Sequence, residues 1–305
     1  MRKKSKKVLV TGGAGFIGSH LVDALIEKGF DVVVIDNLST GKRENLNPGA
    51  VFHELDIRDL EKIKPVFKDV DYVFHLAARP RVSYSIEFPI ESHSNNVLGT
   101  LSVLIAAKDA GVKKVIYSSS SSVYGEQEKL PLHEDMVPNP KSPYALQKLV
   151  GEKYCHLFYK LHGLPAVSLR FFNVYGPRIS FEGSYILVLG VFLQQKMKGE
   201  PLTVEGDGEQ SRDFTYVGDI VRAAILAMES DKVGKGEVIN IGAGNNHTIN
   251  ELARLIGGEI IYKPAREGDM RHTLADNRKA KELLGWESII HIEEGIEKVK
   301  KWLGI

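Results

Sequence analysis

With 305 residues the chain can form one large domain or two unequal ones, and 43% hydrophobic with 26% charged residues is ordinary globular composition. A formal net charge of +1 argues against nucleic acid or an acidic membrane surface as the main partner, and the longest apolar run, Tyr185 to Leu193, is far too short to span a bilayer. The single cysteine, Cys155, excludes an internal disulfide and a multi-cysteine metal site, so no metal is expected and a reducing cytoplasm fits best.

The basic opening, residues 1–7 (MRKKSKK), lacks the apolar segment of a signal peptide and reads as a solvated tail. Lys7 to Thr11 (KVLVT) then reads as a buried strand, followed at once by Gly12-Gly-Ala-Gly15-Phe16-Ile17-Gly18 and a helical pattern through Leu21, Leu25 and Ile26. Strand, glycine turn and helix in that order suit a dinucleotide. The glycines permit a tight turn and let a pyrophosphate approach the free N-H groups of the helix N-terminus. Asp31 to Ile35 is a second strand ending in Asp36, placed about 20 residues past the glycines to accept hydrogen bonds from a ribose; a carboxylate there repels a 2′-phosphate and favours NAD over NADP. The alternative is a strand-end Asp that caps the next turn. Asn37 to Gly49 is loop and Val51 to Leu55 a third strand, followed by Asp56-Ile57.

Asp71 to Leu76 is a fourth strand, with Ala77-Ala78 small enough for a cofactor to approach. His75 within it reads as structural. Arg81 faces a phosphate, a sugar oxygen or solvent. Asn95-Asn96 opens a helix running to Ala110, and Val115-Ile116-Tyr117 is a strand that delivers Ser118 to Ser122 to the sheet's carboxyl edge. Ser142-Pro143 supplies an N-cap and a first-turn proline, which predicts a helix from Tyr144. Tyr144 and Lys148, four residues apart, share one face of it; a neighbouring ammonium favours phenolate and makes Tyr144 a candidate general base. Cys155 on the same helix reads as a small buried hydrophobe. Ala166 to Phe172 is a sixth strand. The alternation up to Asn173 argues an α/β fold with a doubly wound parallel (Rossmann) sheet over residues 1–178. The rhythm then changes at Gly183, at a helix from Leu187 to Met197 and at the turn-rich Glu205 to Glu209, which predicts a smaller substrate lobe over residues 179–305 with segments returning to the sheet.

Together these motifs resemble the extended short-chain dehydrogenase/reductase family along essentially the whole chain. The resemblance implies NAD as cofactor, held by Gly12, Gly15, Phe16, Ile17, Gly18, Asp36, Asn37, Asp56, Ile57, Ala77, Ala78, Asn95, Ser118, Tyr144, Lys148 and Phe172. It implies Tyr144, Lys148 and Ser120 as catalytic residues, Ser120 being chosen because it precedes Tyr124 by four; Ser119 and Ser121 could share its work. For a nucleoside diphosphate-sugar it implies Arg81, Ser120, Ser121, Asn173, Arg212, Arg266, Asp269 and Thr273, with both Arg212 and Arg266 on phosphate oxygens and Asp269 near the uridine ribose.

Within the family, 4,6-dehydratases carry an Asp-Glu pair where this sequence has Ser121-Ser122, and glucuronate decarboxylases a Glu where Ser122 stands. Without those acids both chemistries lack a catalyst. The remaining expectation is 4-epimerisation of a UDP-sugar through a transient 4-keto stage. Thr273 stands at a position that in similar epimerases gates the pocket, and its small size favours UDP-GlcNAc and UDP-GalNAc, with UDP-glucose and UDP-galactose as secondary substrates. A gate restricted to plain hexoses and a non-catalytic dinucleotide-binding sensor or scaffold are the alternatives. A homodimer formed through the Tyr144 helix and the helix after Asn95 is expected by resemblance.

Overall fold

The computed structural model describes residues 5–181, 187–265 and 271–305. The basic residues of 1–4, Gly183, Arg266 and Asp269 lie outside the described residues.

Seven strands form one parallel sheet: β1 (Lys7–Thr11), β2 (Asp31–Asp36), β3 (Val51–Glu54), β4 (Tyr72–His75), β5 (Lys114–Ser120), β6 (Ala166–Phe171) and β7 (Lys235–Ile241), in the order β7-β6-β5-β4-β1-β2-β3. This is the doubly wound arrangement. Strand order reverses beside β1, so a crevice opens at the carboxyl ends of β1 and β4. Register fixes what reaches it: Thr11 pairs with Ile35 and with His75, and His75 with Tyr117. β5 runs on for three residues past Tyr117, which carries Ser118, Ser119 and Ser120 beyond the end of β4.

Side-chain alternation explains the near-continuous apolar strands. Val8, Val10, Val32, Val34 and Phe74 pack on one face under the helices Phe16–Glu27 and Val217–Glu229. Leu9, Val33, Val73 and Val115 pack on the other under Gly99–Asp109 and Pro143–His162. Leu9 is fully buried, and cutting such a side chain to alanine costs about 2–5 kcal/mol. Cys155 lies in this second layer with its thiol pushed up to about 12 by burial.

Residues after Arg178 build a second core from Leu189, Phe192, Leu202, Val204, Leu252 and Ile296, but they also return to the sheet. Lys235–Ile241 is its edge strand, and Ile220, Ala224 and Trp286 belong to the sheet's core.

The Pro143–His162 helix begins one residue earlier than the sequence suggests, because the fixed φ of Pro143 already fits the first turn; Ser142 Oγ caps it by accepting from the Ala145 amide at 3.2 Å. Asn95-Asn96 does not open a helix. Helical backbone starts at Pro89, and the two asparagines occupy a π-helical segment, Ser94–Leu98, before Gly99–Asp109. Neither acts as a cap: Asn95 donates to the Glu91 carbonyl, while Asn96 accepts from the Arg79 amide and donates to Gln147 Oε1.

Candidate active site

The crevice is a cleft of about 1110 Å³, slightly above the usual range for a single small-molecule site. Its floor is the glycine turn. Gly12 has φ +76, and a Cβ there would lie 2.7 Å from the Ala77 amide nitrogen; a Cβ on Gly18 would lie 2.1 Å from the Gly12 carbonyl oxygen. Backbone therefore passes so close that only glycine fits. Gly15 stands at the N-terminus of Phe16–Glu27 with no side chain capping it, so amide donors remain for an anion.

Asp36 lines the cleft at the end of β2, accepting from the Ala14 amide at 3.0 Å and the Leu38 amide at 2.8 Å. It caps the turn at Leu38 and lines the cleft, and burial raises its pKa. Asn37 and Ile57 also line the cleft. Asp56 does not. Its carboxylate is held by Arg58, which lowers its pKa to about 2, and it reaches the site only by accepting from Asn37 Nδ2 at 3.1 Å.

His75 is buried and neutral, its pKa lowered to about 3 by desolvation. Thr100 Oγ1 donates to the Asn96 carbonyl at 2.6 Å, so His75 Nε2 must donate to Thr100 at 2.9 Å and Nδ1 must accept from Thr11 at 2.7 Å. That chain ties the residue before Gly12 to the π-helical segment. It is a structural histidine beside Ala77, Ala78 and Asn95, all of which line the cleft.

β5 and the Pro143–His162 helix bring Ser120, Tyr144 and Lys148 to one wall. Ser120 faces the Tyr144 phenol and lowers its pKa against the effect of burial, and its Oγ accepts from the Ser122 amide at 3.2 Å. The expectation that Lys148 makes Tyr144 acidic requires correction. The Lys148 ammonium donates to the Ser118 carbonyl at 2.7 Å and lies 5.9 Å from the centre of the Tyr144 ring. Burial is the dominant influence on both groups: Tyr144 is pushed up to about 12 and Lys148 down to about 8.

Arg81, Ser121, Asn173, Arg212 and Thr273 also line the cleft. Asn173 Nδ2 donates to the Asp213 carbonyl at 2.9 Å. Thr273 is buried, and its Oγ1 accepts from the Asp213 amide at 3.2 Å. Asp213 itself is an organising residue absent from the expected set; its carboxylate accepts from the amides of Ala243, Gly244 and Ala275, and burial raises its pKa to about 6. Position next to Arg212 is the sequence signal that could have found it. Phe172 is not at the cleft: it is fully buried against Tyr124, and Phe171 lines the wall instead. Glu126 and Lys141 also line the cleft and carried no signal in the sequence.

Residues 8–242 match the model of the NAD dependent epimerase/dehydratase family. The chain is 42% identical over 304 residues, 97% of its own length and 98% of the relative's, to a putative UDP-glucose 4-epimerase of Methanocaldococcus jannaschii. Its structure is similar, with a TM-score of 0.93 and 44% identity over 98% of each chain, to a UDP-glucose 4-epimerase of Thermotoga maritima with UDP-glucose. It is equally similar, at TM-score 0.93 and 42% identity over 99% of each chain, to a UDP-N-acetylglucosamine 4-epimerase of Methanobrevibacter ruminantium in complex with UDP-N-acetylmuramic acid. Likeness of that extent, over a cleft with a glycine floor and Asp36 in its wall, makes the chain a member of the NAD dependent epimerase/dehydratase family, an enzyme whose cofactor is NAD.

Proposed function

We propose that the chain inverts C4 of a UDP-sugar, interconverting UDP-GlcNAc and UDP-GalNAc and acting on UDP-glucose and UDP-galactose as secondary substrates. The observation that carries the reading is the Tyr144 phenol, set beside Ser120 on the cleft wall that also presents Lys148. The UDP-sugar 4-epimerases among its relatives support the substrate class.

Gly12, Gly15, Gly18, Asp36 and Asn95 would hold NAD, whose chemistry when bound is to accept a hydride from C4 and return it. With NAD bound, the positive charges of the nicotinamide and Lys148 would favour the phenolate, and in that form Tyr144 takes the proton of the C4 hydroxyl and gives one back, with Ser120 bridging phenol and sugar oxygen. Lys148, fixed by the Ser118 carbonyl, supplies positive charge beside the phenol. Arg212 and Asn173 anchor the diphosphate, so that the sugar can turn while its tether stays in place.

Thr273 supports the N-acetyl substrates. It is small, lines the cleft, and is tied by two hydrogen bonds to the strand that carries Arg212, its amide donating to the Ser211 carbonyl at 3.1 Å. The chain's one cysteine, buried and far from reactive, fits a cytoplasmic enzyme. A homodimer fits the surface: Leu98, Leu146, Leu157 and Leu161 are all exposed on or beside the helices Gly99–Asp109 and Pro143–His162, where a second copy would cover them. Among the described residues no helix is long and apolar enough to cross a membrane.

The test is to incubate the purified protein with each of the four UDP-sugars and separate the products. Conversion of the N-acetyl pair supports the full reading, conversion of the plain pair alone restricts it to hexoses, and no C4 epimer from any of them ends it.

A further inference from the structure

Three successive residues of β5 meet three successive turns of the Pro143–His162 helix. Ser120 faces the Tyr144 phenol, the Ser118 carbonyl accepts from Lys148 at 2.7 Å, and Ser119 Oγ donates to Glu152 Oε1 at 2.5 Å. Tyr144, Lys148 and Glu152 are spaced by four and so stack on one helix face. Only the first two contacts belong to the site proposed above.

Glu152 and Arg170 are buried together, with Arg170 Nε and Nη2 each 2.8 Å from a different carboxylate oxygen. Arg170 also lies 4.5 Å from the centre of the Tyr124 ring. Two charges taken out of water cost about as much as their pairing returns, and apolar side chains of the same volume would serve stability as well or better. Stability is therefore a weak account of this pair, and its contact with the serine run suggests another.

We propose that Ser119 and Glu152 are positioning residues for the reaction: together they lock the helix against β5 so that the phenol stays beside Ser120 and the Glu152 carboxylate stands one helical turn from Lys148. This rests on the roles proposed for Tyr144 and Lys148.

Burial lowers Lys148 to about 8, and the Glu152 charge is the largest influence in the opposite direction. The groups facing Lys148 are Tyr144, Glu152 and Cys155 from its own helix, Tyr117 from β5 and His75 from β4. Burial keeps both phenols and the thiol protonated and His75 neutral near pH 7. Of these described groups, Glu152 is the one that brings negative charge to Lys148.

The experiment measures kcat, KM and the pH profile on UDP-GlcNAc for the full-length protein and for Ser119→Ala, Glu152→Gln and Tyr144→Phe. Ser119→Ala keeps the ion pair and is expected to fold, with kcat lower by about tenfold and KM unchanged. Glu152→Gln is expected to move the alkaline limb of the profile down by about one pH unit, because Lys148 loses its counter-charge. Wild-type kcat in Ser119→Ala overturns the positioning role, and an unmoved alkaline limb in Glu152→Gln overturns the charge role. If Glu152→Gln does not fold, Ser119→Ala decides alone. An unaffected rate in Tyr144→Phe is a different failure, since it removes the underlying reading rather than this one.

Discussion

The Lys148 ammonium sits 2.7 Å from the Ser118 carbonyl oxygen and not on the Tyr144 phenol. Direct pairing of the two is therefore not what tunes the tyrosine. The lysine is anchored to the strand that bears Ser120, and both Lys148 and Tyr144 are buried. Tyr144→Phe, which keeps the ring and removes the hydroxyl, is expected to lower kcat by orders of magnitude with the fold intact; steady-state kinetics and circular dichroism check both halves.

Lys148 gives a pH signature with opposite signs in activity and stability. Its folded pKa of about 8 lies below the ordinary lysine value of 10.5 that the unfolded chain keeps. Between those values the unfolded chain holds a proton the native chain has released, so stability rises with pH across that window. The whole contribution is about 3 kcal/mol. Activity that depends on the ammonium is expected to fall above about pH 8 over the same range. Urea titrations and rates at pH 8 and pH 10 test this, with Lys148→Met as the variant expected to lose the stability slope.

Gly18→Ala places a Cβ 2.1 Å from the Gly12 carbonyl oxygen. That contact is with backbone, so the turn must open. NAD affinity measured by calorimetry is expected to fall at least about tenfold, and stability by about 1–3 kcal/mol as for other overpacked sites.

Thr273→Tyr fills the cleft wall beside Arg212. Turnover of UDP-GlcNAc and UDP-GalNAc is expected to be lost while UDP-glucose and UDP-galactose are still converted. Equal loss of both pairs, measured by product chromatography, would show that the position does not select for size.

Leu157→Glu combined with Leu161→Glu puts two carboxylates on the exposed face of the Pro143–His162 helix. A dimer is expected to become a monomer in sedimentation, with the melting temperature of the monomer fold little changed, because neither side chain is buried within the chain.

Much of this was legible in the sequence because the signals are local. β1 with its glycine turn, β2 ending in Asp36, and the Ser142-Pro143 helix start each depend on neighbours in the chain. What was not legible depends on residues far apart. Lys148 finds its partner thirty residues away in Ser118, and burial, which sets the pKa of both Lys148 and Tyr144, belongs to the assembled layers. Asn95-Asn96 looks like a helix start until Arg79 and Gln147 are seen to use the Asn96 side chain. Phe171 and Phe172 are adjacent at the end of β6, and which one faces the cleft is decided by where the chain leaves the sheet.

The most direct test of C4 inversion is to run the conversion of UDP-GlcNAc in deuterated water and read C4 of the product by NMR. A return of the same hydrogen to C4 gives a product with the original proton there and no deuterium. Deuterium at C4 would contradict it, since the carbon would then have exchanged with solvent and the redox cycle assigned to this cleft would not be operating.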